Sequence, residues 1–337
     1  MSMLLLEGFD YLGTVVEKYV VSDSGRVTTN GSSRSGALCM KVSKNDWCDV
    51  PLAAASDTGV IGFALYCYDP TDSPKPLLSF ERSGNVNMTL NLRRSGALEL
   101  RRGSTVLGAS TTQVFLRNAF QYIEVKWNCV NSISADSVQV KIDGTLVIDL
   151  AATTDCQDSG TSGVDLIILH SPGTTIYYDD LYICDLAGAQ CNDFLGNIII
   201  ETLFPDGNGN TSDFVGSDVD STDNYLHVDD ATSDGDTTYV ESSTPGDIDL
   251  YTLDDIGGTP DTILCVASDC FSRKDDGSAR DGRLLTRVNG SNYEGASFSP
   301  TTSFVHEAQI WELNPDDSAA WEVADVNGAE IGIKVQS

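Results

Sequence analysis

VQVKIDGTLVIDL, residues 138–150, decides the fold. Two short apolar runs, VQVKI and TLVIDL, flank Asp143-Gly144, a dipeptide that supplies the positive φ angles of a tight hairpin. Working outward, Ser95-Gly96 joins NLRR to ALELRR in the same way, and Arg102-Gly103-Ser104 follows. In Phe120–Trp127, Tyr122, Glu124 and Lys126 alternate with Ile123, Val125 and Trp127, which predicts a strand with one dry face and one wet face.

The pattern repeats along the chain. Before residue 190 the expected strands are Gly62–Tyr68, Leu77–Arg82, Val86–Leu92, Ala97–Arg101, Phe120–Trp127, Val138–Ile142, Leu146–Leu150, Asp165–His170 and Thr175–Cys184. Turn signals every 8–12 residues or so are the mark of a sandwich or barrel. That number of strands suits a two-sheet jelly roll. A boundary is expected near 190, dividing residues 1–191 from an acidic domain at 192–337. The second part offers Leu226–Val228, Thr238–Glu241, Asp249–Leu253, Thr262–Ser268, Arg283–Val288, Phe304–Glu312 and Glu330–Val335, which fits a smaller immunoglobulin-like β-sandwich. The one helical expectation is a turn at Ser318–Val326, capped by Asp316-Asp317. The fold class read from the sequence is all-β.

At 337 residues the chain is long enough for two cores. Its net charge of -30 is uneven. Residues 1–191 carry 14 Lys/Arg against 21 Asp/Glu, and residues 192–337 carry 6 against 29. A field of that sign repels nucleic acid and anionic membranes and favours solubility. No apolar run approaches the roughly 20 residues of a membrane helix. Met1–Leu6 lacks a cationic region and is followed by Glu7 and Asp10, so no Sec signal is expected and synthesis in a host cytoplasm is.

Catalytic templates fit poorly. There is no GxSxG elbow, and His170, His227 and His306 lie in strand-like runs, where structural roles are expected. Glu81, Glu99, Glu124 and Glu201 lie in or beside strands, without the E-x-D-x-x-E spacing of jelly-roll glycosidases. The nine cysteines form no CxxC pair and read as free thiols, mostly small buried hydrophobes, so no zinc site is expected. Asp206, Asn208 and Asn210 place oxygen ligands at alternate positions, a calcium candidate. The run departs from an EF-hand at Thr211, where glycine should turn, and at Ser217, where Glu should close. Asp179-Asp180 and Asp229-Asp230 are lesser cation candidates. Apart from this possible structural calcium, no cofactor is expected. Arg93, Arg94, Arg101 and Arg102 form a basic cluster, read as edge-strand protection or as a docking patch for an acidic neighbour. Tyr66, Tyr68, Tyr177, Tyr178 and Trp127 are candidate sugar-stacking aromatics, although alternation points most of them inward.

YYDDLYICDLAG (177–188), preceded by VQVKIDGTLVID, resembles the closing strands of concanavalin/laminin-G-type jelly rolls. Taken with LLEGFDYL (5–12), NDFLGNIIIETLFPDGNGNTSDF (192–214) and WELNPDDSAAWEVADVNGAEIGIKV (311–335), it resembles a group of tailed-bacteriophage virion proteins. The resemblance implies a non-enzymatic structural protein of the virion, for capsid decoration or a head or tail fibre, whose partners are other virion proteins or further copies of itself. The alternative is a carbohydrate-binding adhesin that recognises host-surface glycans.

Overall fold

The hairpin expected at 138–150 is present. Ser137–Ile142 pairs antiparallel with Thr145–Leu150, and the turn between them has φ of 47° at Asp143 and 76° at Gly144. The computed structural model describes residues 3–11, 15, 18–70, 74–111, 114–130, 132, 135–150, 154–158 and 161–337. Met1, Ser2 and Leu12, which entered the reading of the N-terminus, lie outside the described residues.

The chain forms two units. The first comprises residues 1–10 and 14–200, the second residues 11–13 and 201–337. The stretch 192–200, grouped with the second domain from sequence, belongs to the first.

Both units are built almost wholly of antiparallel strands. In the first unit, one sheet runs Thr145–Leu150, Ser137–Ile142, Phe120–Asn128, Thr58–Cys67, Ile176–Cys184, Cys39–Val42 and Val27–Asn30, with Met3–Glu7 also paired to Ile176–Cys184. The other runs Thr105–Ala109, Leu98–Arg102, Asn85–Leu92, Lys75–Arg82, Val164–His170, Trp47–Ser56 and Val20–Val21. The core lies between them. Trp127 of the first sheet meets Phe80 of the second at 5.6 Å between ring centroids, and Phe63 meets Tyr178 edge-on at 5.2 Å. The Tyr178 hydroxyl donates to the carbonyls of Leu77 and His170, so its polar end is satisfied inside the core. Each large side chain fully buried in this way contributes roughly 1.5–3 kcal/mol.

In the second unit, a five-stranded sheet runs Pro205–Ser212, Ile248–Leu253, Glu330–Val335, Gly282–Val288 and Ser291–Phe298. Val215–Gly216 pairs with Val240–Glu241, and Val266–Ser272 with Val305–Trp311. Val288, Trp321, Val326 and Ala329 form an apolar core, and the Trp321 indole donates to the Trp311 carbonyl at 2.9 Å. The helical turn occupies Val323–Asn327, with Glu322 as its N-cap and Asp325 completing a capping box. The expected cap at Asp316-Asp317 is thereby corrected. Asp316 accepts from Asn289 and Tyr293, and Asp317 accepts the Ala319 N–H in a turn before the helix.

One expectation about the first sheet fails in an informative way. Tyr122 and Glu124 point away from the core, yet they are only 2% and 1% exposed. The reason is the stretch 194–200, which crosses the outer face like a strap. Phe194 lies under the Lys141 ammonium at 4.0 Å. The Gly196 N–H donates to Glu124 Oε1 at 2.8 Å, and the Ile200 N–H donates to Asp180 Oδ1 at 2.8 Å. The Tyr182 hydroxyl also donates to Glu124 Oε1, at 2.6 Å. Gly62 makes room for this arrangement, because a Cβ there would overlap the Tyr182 ring.

Candidate functional site

Where the strap ends, the outer face opens. Cross-strand register aligns Phe120 with Tyr66, Tyr66 with Tyr177, Tyr177 with Lys41, and Lys41 with Thr28. Residues directly opposite in neighbouring strands share a face, so these five form one row across five strands. Tyr68, just beyond the end of Thr58–Cys67, completes the group. Tyr66 packs edge-on against Tyr68 at 5.0 Å and against Tyr177 at 5.9 Å, and tilts against Phe120 at 5.4 Å. Tyr68 and Tyr177 are 6.1 Å apart. These separations are those of favourable edge-to-face aromatic packing. Tyr68 is 46% exposed, Tyr66 and Phe120 are half-buried, and Tyr177 forms the floor at 8%.

The electrostatics of the group follow from this burial. Removal from water raises the phenol pKa of Tyr66 and Tyr177, and the neighbouring Tyr68 raises both further. The Tyr66 and Tyr177 hydroxyls therefore stay protonated at neutral pH and can donate as well as accept. At the rim, Asp69 accepts from Arg117 at 2.7 Å and from Arg94 at 3.4 Å.

The structure thus divides the five sequence candidates. It brings Tyr66, Tyr68 and Tyr177 together on the surface, and it sends Tyr178 and Trp127 into the core at 0% and 1% exposure. Phe120 was not singled out from sequence. Its parity with Tyr122 in the strand pattern was the signal that could have found it.

The other candidates are accounted for by local contacts. Asp206, Asn208 and Asn210 lie along the Pro205–Ser212 strand and are not gathered round a point. A strand advances about 3.3 Å per residue, which spreads the first and last by roughly 13 Å. Asp206 accepts from Thr252, Asn208 bonds the Thr222 carbonyl and the Tyr225 N–H, and the Asn210 N–H donates to Glu330. Asp179 and Asp180 sit at a bulge where Ile176–Cys184 changes neighbour from Cys39–Val42 to Met3–Glu7. Asp180 has φ of 49° and ion-pairs with Arg34, whose guanidinium stacks over Tyr122 at 5.3 Å. Asp179 accepts backbone N–H groups of Arg34, Ser35 and Asp180. Its burial, and then the adjacent Asp180, push its pKa up to about 7. Asp230 accepts from Thr238 on the surface. Among the described residues, no group of three or more His, Cys, Asp or Glu is placed to hold a metal ion.

Glu99 lies between Arg93 and Arg101, whose hydrogen bonds lower its pKa against the opposing effect of burial. Arg94 pairs with Asp69 and Arg102 with Asp155, so each arginine of the basic cluster has an acidic partner within the same unit. Glu201 accepts the Gly257 N–H. Glu81 lies on the outer face of the other sheet, where burial and the nearby Asp49 and Asp165 raise its pKa. His170 shares a 2.8 Å hydrogen bond with Ser79, and burial lowers its pKa to about 4. His227 lies between Ser217 and Asp218, and His306 bonds Asp269 at 2.9 Å. All nine cysteines are free thiols, seven of them buried. Burial pushes Cys39, Cys67 and Cys184 up to about 12, which removes their nucleophilic form at neutral pH. Among the described residues, no helix is long and apolar enough to cross a membrane.

No protein-family model and no curated protein matches the sequence. Among solved structures the chain is similar to a sialidase, at 12% identity and a TM-score of 0.40, over 54% of this chain and 18% of the sialidase. It is also similar to carbohydrate-binding module CBM66 from Bacillus subtilis, at 10% identity and a TM-score of 0.33, over 48% and 92% of the two chains. Galectin LEC-6 from Caenorhabditis elegans gives 14% identity and a TM-score of 0.30, over 42% and 94%. At these scores the likenesses carry no functional argument.

Proposed function

We propose that this protein binds saccharide chains on the open half of its first sheet and does not turn them over. One observation carries the reading: Tyr66, Tyr68 and Phe120 form a continuous aromatic surface beside polar and charged side chains, with Tyr177 as its floor. A pyranose ring has an apolar C–H face and a polar rim. It is matched by flat π surface next to hydrogen-bonding groups. Three aromatic side chains gathered at a surface, all in water's reach, call for a partner that covers them. Phenol hydroxyls and Thr28 supply donors and acceptors around the edge.

Binding without turnover is the chemical side of the proposal. Among the described residues, Asp69 is the exposed carboxylate beside the aromatic group, and it is held between two guanidinium groups. Its oxygens are engaged by those two ion pairs, so it is poorly placed to pass a proton to a leaving group. Glycoside hydrolysis needs two carboxyl groups facing each other across the sugar.

A glycan array probed with the full-length chain and with Tyr68→Ala tests the reading. Binding of at least one glycan by the wild type is expected, weakened about fivefold in the variant, the worth of about 1 kcal/mol of stacking. Equal binding by both proteins refutes the aromatic surface as the site.

Membership of a phage virion is a further proposal and rests on the sequence resemblance alone. Mass spectrometry of purified particles checks it, and a saccharide-binding surface suits a particle that must attach to a host.

A further inference from the structure

We infer that the ligand of the aromatic surface is an acidic saccharide, one that carries a carboxylate or sulfate group, held by Lys41. The inference rests on the saccharide reading above and narrows it. Lys41 stands directly opposite Tyr177 on one side and Thr28 on the other. Opposed residues have Cβ atoms about 5 Å apart and point to the same face, so the Lys41 side chain leaves the sheet next to Tyr177 and within reach of a ligand on the aromatic surface.

Its charge is uncommitted. Lys41 is half-buried and forms no ion pair among the described residues, whereas Arg93, Arg94, Arg101, Arg102 and Arg117 all do. The acidic side chain two residues along the neighbouring strand is Asp179, whose oxygens accept three backbone N–H groups beneath the 34–35 turn. On the opposite side of the aromatic group, Arg94 and Arg117 share the single carboxylate Asp69, and the two arginines are 51% and 45% exposed. The described side chains bordering the aromatic surface therefore carry three positive charges against one negative. In a chain of net charge -30, this is a positive island.

A free cation on such a surface has a specific consequence. Neutral sugar rings stack on aromatics equally well with or without an ammonium nearby. An acidic sugar gains a charge-assisted hydrogen bond that its neutral counterpart lacks. The strongly negative remainder of the chain repels polyanions at long range, so the island selects for an acidic residue that lands on it.

The test uses an array printed in matched pairs: uronate oligosaccharides beside their neutral hexose counterparts, and sialylated glycans beside the same glycans desialylated. The full-length wild type, Lys41→Met and Lys41→Arg are compared, with a thermal melt of each to confirm folding. The expected result is binding to acidic members only, reduced about tenfold in Lys41→Met and retained in Lys41→Arg. It should also weaken as salt is raised from 0.05 to about 0.5 M. Equal binding to both members of a pair, or an unchanged Lys41→Met, overturns the acidic preference and leaves the aromatic surface intact as a site. No binding to any member by the folded wild type overturns both.

Discussion

Two halves of one sheet face behave in opposite ways. Phe120 and Tyr66 lie on the same face of their strands as Tyr122 and Glu124. The first pair is open to solvent, and the second is buried beneath the strap at 194–200. Strand parity assigns a side chain to a face. Whether that face is wet depends on which distant segment lies across it. The strapped half is a network of committed polar groups, while the open half keeps its aromatic rings and one lysine available.

That contrast predicts a division of mutational effects. The largest belongs to the strapped half. Arg34→Met leaves the fully buried Asp180 carboxylate without its cation and frees the Ile198 carbonyl and Asn197, a loss of about 3–5 kcal/mol in chemical denaturation. A cost below 1 kcal/mol would show that the strap contributes little. Next comes Gly62→Ala, whose methyl group must displace the Tyr182 ring from Glu124, at about 2 kcal/mol. In the open half, Tyr68→Ala is expected to change stability by no more than about 0.5 kcal/mol while weakening glycan binding. A large loss of stability there would make the aromatic group structural.

A separate effect is on pH dependence. The folded pKa of Asp179 is raised from 3.8 to about 7, so between those values the folded chain keeps a proton that the unfolded chain has released. Its contribution to stability falls as pH rises through that window. His170 is lowered from 6.5 to about 4, and its contribution falls as pH drops through its own window. The two oppose each other. Asp179→Asn should therefore unmask a profile that rises with pH between about 4 and 6.5 relative to wild type. Parallel melting profiles for the two proteins would contradict the raised pKa.

Much of the architecture was legible. Asp143-Gly144 fixed the hairpin because positive φ is costly for most residues and cheap for that pair. The alternation of Ile123, Val125 and Trp127 located the core face, since a period of two admits one buried side. Pro205–Ser212 is not among the strands expected from sequence, because PDGNGNTS is polar and glycine-rich. It is an edge strand held by backbone pairing to Ile248–Leu253, which no side-chain pattern reports. Asn289-Gly290 carried a hairpin signal for Gly282–Val288 and Ser291–Phe298, with φ of 48° and 82°, but the polar SNYEGASF masked its second strand.

The candidate site was legible only in part. Tyr66, Tyr68 and Tyr177 were visible as aromatic residues, but their meeting depends on the pairing of Thr58–Cys67 with Ile176–Cys184, more than 100 residues apart in sequence. Lys41 gave no signal, because its significance comes from the strand beside it. The calcium reading of Asp206, Asn208 and Asn210 counted oxygen atoms along the chain, and a strand holds such atoms apart.

The most direct test of the central claim is a crystal structure of the full chain with a glycan found by the array. The account predicts density for a sugar ring lying on Tyr66, Tyr68 and Phe120, with an acidic group within hydrogen-bonding distance of Lys41 Nζ. A sugar bound on the other sheet, near Glu81 and Asp49, with the aromatic group bare, would contradict it.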